Sequence, residues 1–385
     1  MADTDSPIAS ASFAARPALP VRLTHVAPAV PVSVRPHPRE GDVELKSRID
    51  DPYLLMPLEG PLVDRYARVH DDLRISVTDR CNLRCVYCMP EVGMTFQPLA
   101  ALLTFDEIVR IATTAYAMGV TSLRLTGGEP LVRKNLVALV SRLSKIGFKD
   151  LAITTNGMLL SPLVHALADA GLKRVNISCD SLREERFNAI RRRGNLDTVL
   201  QAMDAVEAAG LAPLKINVVI LRGENEDEIL DFSKFARDTG RVVRFIEFMP
   251  LDAQGQWDKS RLVPGREIFE RVNEEWPLRA VDVGGSAPAE RFKFADGRGE
   301  IGLISSVTQP FCGTCNRLRL TADGAIRNCL FSDNEFSLRD LIRDDGTDDE
   351  VALMLRKAVW EKFPGHAINE PGFLRPTRSM SMIGG

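Results

Sequence analysis

The chain has 385 residues, 45% of them hydrophobic and 26% charged, with a formal net charge of -3 at pH 7. That balance suits a soluble globular protein and argues against a nucleic-acid scaffold or a membrane-surface protein, so any affinity for anions has to come from a local pocket. No run approaches the roughly 18 apolar residues of a membrane span, and seven cysteines are too few for a disulfide scaffold.

Residues 1 to about 45 are rich in Pro, Ala, Ser and Val, with Asp3 and Asp5 near the start. They lack both the basic start and apolar run of an export signal and the Arg-rich, acid-poor character of a transit peptide, so a cytoplasmic protein is expected. The composition predicts a disordered extension over 1–63, ahead of a core over 64–250 and a C-terminal region over 251–385.

From Asp72 onward short β-branched runs alternate with longer amphipathic ones, the pattern of successive βα units on a parallel sheet. Strands are expected at Leu73 to Val77, Ser122 to Leu125, Leu151 to Thr154, Arg174 to Ser178, Lys215 to Ile220 and Val242 to Glu247. Phe105 to Met118 and Leu196 to Ala209 read as helices. Thr104 with Glu107 forms a candidate capping box, and Gly119, Gly171 and Gly210 are candidate stops. Six units are too few for a closed eight-stranded barrel. The expectation is an α/β fold with a partial (βα)6 TIM-like barrel, a doubly wound sheet being the alternative, and either puts chemistry at the strand C-termini.

Distinctive motifs follow five of the six strands: Cys81 to Cys88, Gly127-Gly128-Glu129-Pro130, Thr154-Thr155-Asn156-Gly157, Ser178-Cys179-Asp180 and Glu247-Phe248-Met249. Six of the cysteines fall into two triads, Cys81, Cys85, Cys88 and Cys312, Cys315, Cys329. Each supplies three soft ligands where a closed site takes four, which leaves a position open for something that reacts. A zinc site or a structural cluster is the plainer reading of either triad. After Pro250 the rhythm changes to a helix near Arg266 to Glu275, a Gly-rich section, the second triad, and helices near Leu338 and Val351. This makes an α+β C-terminal cluster-binding region.

The spacing Cys81-x3-Cys85-x2-Cys88 after a first strand resembles the radical S-adenosylmethionine (SAM) enzymes. In that superfamily three cysteines hold a [4Fe-4S] cluster whose open iron chelates the amino and carboxylate groups of SAM, and the cluster's electron releases a 5'-deoxyadenosyl radical. Gly127-Gly128-Glu129-Pro130 resembles the superfamily's Gly-Gly-Glu-Pro motif. On that resemblance Tyr87, Gly127, Gly128, Glu129, Ser178 and Met249 line the SAM site, with Glu129 an acceptor for an ammonium group and the glycines admitting backbone close to the ligand.

The second triad lies in Phe311-Cys312-Gly313-Thr314-Cys315-Asn316-Arg317-Leu318-Arg319. With the closing Ile383-Gly384-Gly385 it resembles the GTP 3',8-cyclase (MoaA) family of molybdenum-cofactor biosynthesis, from about Leu73 to the end. The resemblance implies a second [4Fe-4S] cluster, whose open iron meets the purine edge of GTP. It also implies radical abstraction at ribose C3', and addition to guanine C8 with no protein general base, so no catalytic residue is assigned. Implied partners are an electron donor and cyclic pyranopterin monophosphate synthase, which would take up the product; a monomer and a homodimer are both compatible. A peptide or sulfatase maturase with an auxiliary cluster, or a non-catalytic zinc module, are the competing readings.

A triphosphate needs converging cations. The matching positions are Arg74, Arg124, Lys215, Arg317 and Arg319, with Thr154, the backbone neighbour Leu318, and Arg244 as a further addition. Ser122 departs from the family, which carries Lys there. The run Arg191-Arg192-Arg193 reads as a solvated helix exit, and Cys179, alternating with Ser178, as a small buried hydrophobe. The tail Arg378 to Gly385 would ordinarily fray; the resemblance instead sends it into the active-site pocket.

Overall fold

Alternation in Asp72–Ser76 (β1) sends Leu73 and Ile75 to one side and Arg74 to the other. The same division shapes Ser122–Thr126 (β2), Asp150–Thr155 (β3), Arg174–Ser178 (β4), Lys215–Ile220 (β5) and Val242–Glu247 (β6). In the computed structural model, which describes residues 51–282 and 284–384, these six strands are parallel and adjacent in sequence order.

The crossovers are Phe105–Ala117 (α1), Leu136–Ser144 (α2), Val164–Asp169 (α3), Glu184–Arg191 (α4) with Leu196–Ala208 (α5), and Ile229–Thr239 (α6). They cover the apolar face of the strands. Leu73, Ile75, Leu123, Leu125, Ile153, Val175, Ile177, Ile216 and Val218 are fully buried in one core with Ile108, Ile111, Leu139, Val199 and Phe232. The helix punctuation is as read: Thr104 and Glu107 cap α1 reciprocally, and Gly119, Gly171 and Gly210 take positive φ.

The C-terminal region is not a separate layer. After Gly265–Glu275 (α7) come Leu278–Val281 (β7), Glu290–Phe294 (β8) and Glu300–Ile304 (β9), and β9 pairs in parallel with β6. Arg317–Leu320 (β10) pairs in parallel with β1 on the opposite edge, followed by Ala325–Arg327 (β11) and Phe336–Ser337 (β12). The result is one open twelve-stranded sheet, β12-β11-β10-β1-β2-β3-β4-β5-β6-β9-β8-β7. Leu338–Arg343 (α8) and Asp348–Trp360 (α9) complete the region. No helix among the described residues is long and apolar enough to cross a membrane.

The disordered extension expected over 1–63 is corrected at its end. Within 51–63 Met56 and Leu62 are buried while most of the segment stays exposed; Leu62 N–H donates to Met118 O at 3.2 Å, and Trp360 Nε1 donates to Pro52 O at 2.9 Å. Residues 1–50 lie outside the described residues.

Phe245 of β6 meets Phe232 of α6 edge to face, ring centroids 6.4 Å apart. Phe245→Ala is expected to cost about 3–5 kcal/mol through the cavity it leaves. Urea unfolding should show this as a lower midpoint with an unchanged slope.

Candidate active site

The first triad occupies the loop leaving β1. Hydrogen bonds from Val86 N–H to Ile190 O (3.0 Å) and from Arg84 N–H to Arg191 O (3.2 Å) tie that loop to the end of α4. From the other side comes the loop after β2, where Gly128 N–H donates to Thr78 O at 2.7 Å and Glu129 N–H to Arg80 O at 2.8 Å. A Cβ on Gly127 would lie 2.6 Å from Thr78 O, and one on Gly128 2.5 Å from Arg80 O. The glycine pair is thus needed to let this loop reach the backbone just before Cys81, and both glycines also line the cavity.

Glu129 is buried and already engaged. Its carboxylate accepts from Leu131 N–H (3.0 Å), Thr155 Oγ1 (2.7 Å) and Asn156 N–H (2.7 Å). Burial outweighs those bonds and pushes it up to about 7, and an adjacent ammonium would draw it back down. Tyr87 Oη donates to Asp180 Oδ2 at 2.7 Å. Arg191 approaches the same oxygen at 2.7 Å, and Val219 N–H donates to Asp180 Oδ1 at 3.0 Å. The reading of Arg191 as solvated is therefore wrong: it is 2% exposed and lines the cavity. Helix α4 ends there with Arg192 in a left-handed conformation, which turns consecutive side chains to different sides.

Inside the barrel the strands present polar residues. Arg74, Arg124, Thr154, Ser178, Asn217 and Arg244 line the same cavity as the triad, and the register sets Arg74 between Arg124 and Arg319 of β10. Burial, and then repulsion among these cations, lowers Arg74, Arg244 and Arg319. Burial also lowers Arg124, and pushes Lys215 down to about 8 with help from Arg174, Arg244 and Arg124. Lys215 stands at the start of β5 outside the cavity lining. Its neighbour Arg174, absent from the sequence reading, pairs with Asp150, which also accepts from Ser122 Oγ at 3.1 Å. The nitrogens Arg74 Nε, Arg124 Nε, Arg174 Nη1 and Arg244 Nε are buried without a hydrogen-bond partner among the described residues.

Cys312, Cys315 and Cys329 line this cavity as well. A buried cluster fixes their loop: Asp64 binds Arg68 Nε (2.6 Å) and His70 Nε2 (2.9 Å). Arg68 in turn donates to Cys312 O (2.8 Å), Pro364 O (3.0 Å) and Phe363 O (2.6 Å). Lys362, 4% exposed, donates to Arg317 O at 2.8 Å and lies 3.3 Å from Cys315 Sγ. Burial raises the Cys315 thiol, but Arg317 and Lys362 outweigh it and bring it down to about 6. Burial holds Cys81 up at about 12 and raises Cys85, Cys88 and Cys312. Three soft sulfur donors in each triad, all on one cavity, fit the ligand set of an iron-sulfur cluster, which would bind them as thiolates.

The Leu318 side chain is 1% exposed and joins the apolar core, so only its backbone, between Arg317 and Arg319, faces the site. Cys179 is buried opposite Ser178, as expected. The tail enters the cavity. Met380 and Ser381 line it, Met380 N–H donates to Leu251 O at 3.1 Å, and Arg319 Nη1 donates to Gly384 O. A Cβ on Gly384 would lie 2.7 Å from Thr126 Cγ2 and 3.4 Å from Ser76 Cβ, so the tail packs against the paired C-terminal ends of β1 and β2. Glu247 is structural, holding Gly265 N–H, Val307 N–H and Thr308 N–H.

An open sheet with six parallel core strands and a Cys-x3-Cys-x2-Cys loop after the first of them defines a radical SAM protein. The Radical SAM superfamily matches residues 75–236, and Molybdenum Cofactor Synthesis C matches 241–368. The chain is 45% identical over 345 residues to a GTP 3',8-cyclase of Corynebacterium glutamicum, covering 86% of this chain and 92% of that one. It is 45% identical over 324 residues to that of Moorella thermoacetica (84% and 99%). It also resembles the crystal structure of Streptococcus suis SuiB in fold, with TM-score 0.55, 13% identity, and 88% and 75% coverage. The chain belongs to the GTP 3',8-cyclase family.

Gly128→Ala should drive the two loops apart. Iron and sulfide analysis after anaerobic reconstitution is expected to show the same deficit as Cys81→Ala, and wild-type iron content would mean that the backbone makes way.

Proposed function

We propose that the chain converts GTP to 3',8-cyclo-7,8-dihydro-GTP with SAM as co-substrate, the first step of molybdenum-cofactor biosynthesis. The observation that carries this reading is one cavity walled by a Cys triad at each end and by strand arginines between them. When bound, a [4Fe-4S] cluster at Cys81, Cys85 and Cys88 supplies the electron that cleaves SAM, and a second at Cys312, Cys315 and Cys329 offers an open iron to the guanine edge.

The chain's own residues then hold the reactants in register. Tyr87, Gly127, Gly128, Glu129, Ser178 and Met249 form the SAM side, with Arg191 and Asp180 bracing Tyr87. Arg74, Arg124, Thr154, Arg244, Arg317 and Arg319 take the GTP side, with Lys215 behind them beside Arg244 and Arg124, and a tetra-anionic triphosphate answers the crowding of like charge. Met380, Ser381 and Gly384 narrow the cavity, which keeps water from a reactive intermediate. A cytoplasmic enzyme, an external electron donor, and hand-over of product to cyclic pyranopterin monophosphate synthase belong to the same reading. The likeness to SuiB, at 13% identity, bears on architecture alone.

Anaerobic incubation with dithionite, SAM and GTP, followed by mass spectrometry, is expected to yield 5'-deoxyadenosine and the cyclised nucleotide. Absence of both with loaded clusters would overturn the reading. Lys215 adds a pH signature. Its free-state value near 8 means it carries its charge below pH 8 and loses it above, whereas a bound triphosphate favours the charged form. GTP binding should therefore take up a proton above pH 8 and weaken by up to about tenfold per pH unit. Calorimetry on Lys215→Met should show weaker binding at pH 7 and no such dependence.

A further inference from the structure

The run Arg191-Arg192-Arg193 faces two ways. Arg191 is buried in the cavity, while Arg192 is half-buried and Arg193 is exposed. The backbone bonds of Arg84 and Val86 to Arg191 and Ile190 set this corner against the cysteine loop. Arg80, also exposed, and Arg84 both stand over Phe96, their guanidinium carbons 5.9 and 5.7 Å from the ring centroid. Three guanidinium groups thus border loop 81–88, and a fourth, Arg84, lies within it with Nη1 donating to Cys81 O (2.8 Å) and Leu83 O (2.7 Å). The acid that approaches them is Glu91, 3.9 Å from Arg192 and itself well exposed.

This patch reverses the sign of the whole chain, which is -3. SAM cleavage takes in one electron, and the loop holding the first triad is the part of the molecule a donor has to approach. We propose that Arg80, Arg84, Arg192 and Arg193 form the docking surface for a small acidic one-electron carrier protein. The inference rests on the radical SAM reading given above. The carrier loses one electron and the cluster at Cys81, Cys85 and Cys88 gains it; no bond is made and no proton moves. An acidic carrier is repelled by the molecule at large and drawn to this face. Such charges act chiefly on the association rate and are screened by salt.

The test uses the full chain with its clusters and, as probe, a bacterial flavodoxin in its hydroquinone form, with cluster bleaching followed anaerobically by stopped flow. The wild-type second-order rate is expected to fall about tenfold or more from low to high ionic strength. The double variant Arg80→Glu/Arg193→Glu should be slower by about tenfold at low salt and nearly insensitive to salt. Its iron content and its dithionite-driven SAM cleavage should match the wild type. A salt-independent wild-type rate, or a double variant reduced at the wild-type rate, overturns the proposal. So does loss of dithionite-driven cleavage with iron retained, because the arginines would then act on the chemistry. The cyclase reading fails separately, if dithionite, SAM and GTP yield no cyclised product.

Discussion

Like charge held inside a barrel is the constraint from which most of this structure follows. In an ordinary parallel barrel the inner face is packed with branched apolar side chains. Here the outer face carries that burden, with Leu73, Ile75, Leu123, Leu125, Val175 and Ile216 sealed under the helices, while the inner face presents Arg74, Arg124 and Arg244 to a shared cavity. The two carboxylates at the strand starts, Asp72 and Asp150, lie within 4 Å of Arg74 and Arg174 and do not balance the rest. Buried guanidinium nitrogens without partners among the described residues are costly, a cost that a bound polyanion would relieve.

The remainder of the fold serves to keep both ends of that lumen in place. Loop 81–88 is clamped between the Gly127-Gly128 turn and the end of α4, so its position depends on two crossovers at once. The loop of the second triad is held by Arg68, which the buried Asp64 orients, and by Lys362. Because β10 pairs with β1 in register, Arg319 stands beside Arg74. A shift of one residue there would turn Arg317 and Arg319 into the apolar core and Leu318 into the cavity.

Much of this was legible from local pattern. Period-two alternation located all six core strands, and Thr104 with Glu107 located a helix start, because these signals depend only on nearest neighbours along the chain. The cavity-facing arginines were legible for a related reason: charge inside a strand pattern is anomalous unless something answers it. Arg191 was not, since a run of three arginines at a helix end looks alike from every side until the left-handed turn at Arg192 separates them. Arg174 and Lys362 were missed because each acquires its role from partners far away in sequence, Lys215 and Arg124 for the first and Cys315 for the second. Leu318 shows the same alternation, its side chain turned into the core and away from those of Arg317 and Arg319.

The sequence by itself determined the chemistry available: two groups of three thiols, a Gly-Gly turn, and a set of strand cations on one face of each strand. Spacing and periodicity are local, so they survive without the fold. Only the tertiary structure decided that both triads open on one cavity, that β9 and β10 extend the same sheet from either edge, and that the tail packs against the ends of β1 and β2. Those facts depend on contacts between residues more than two hundred positions apart, such as Arg74 with Arg319 and Arg68 with Cys312. No window of sequence contains both partners.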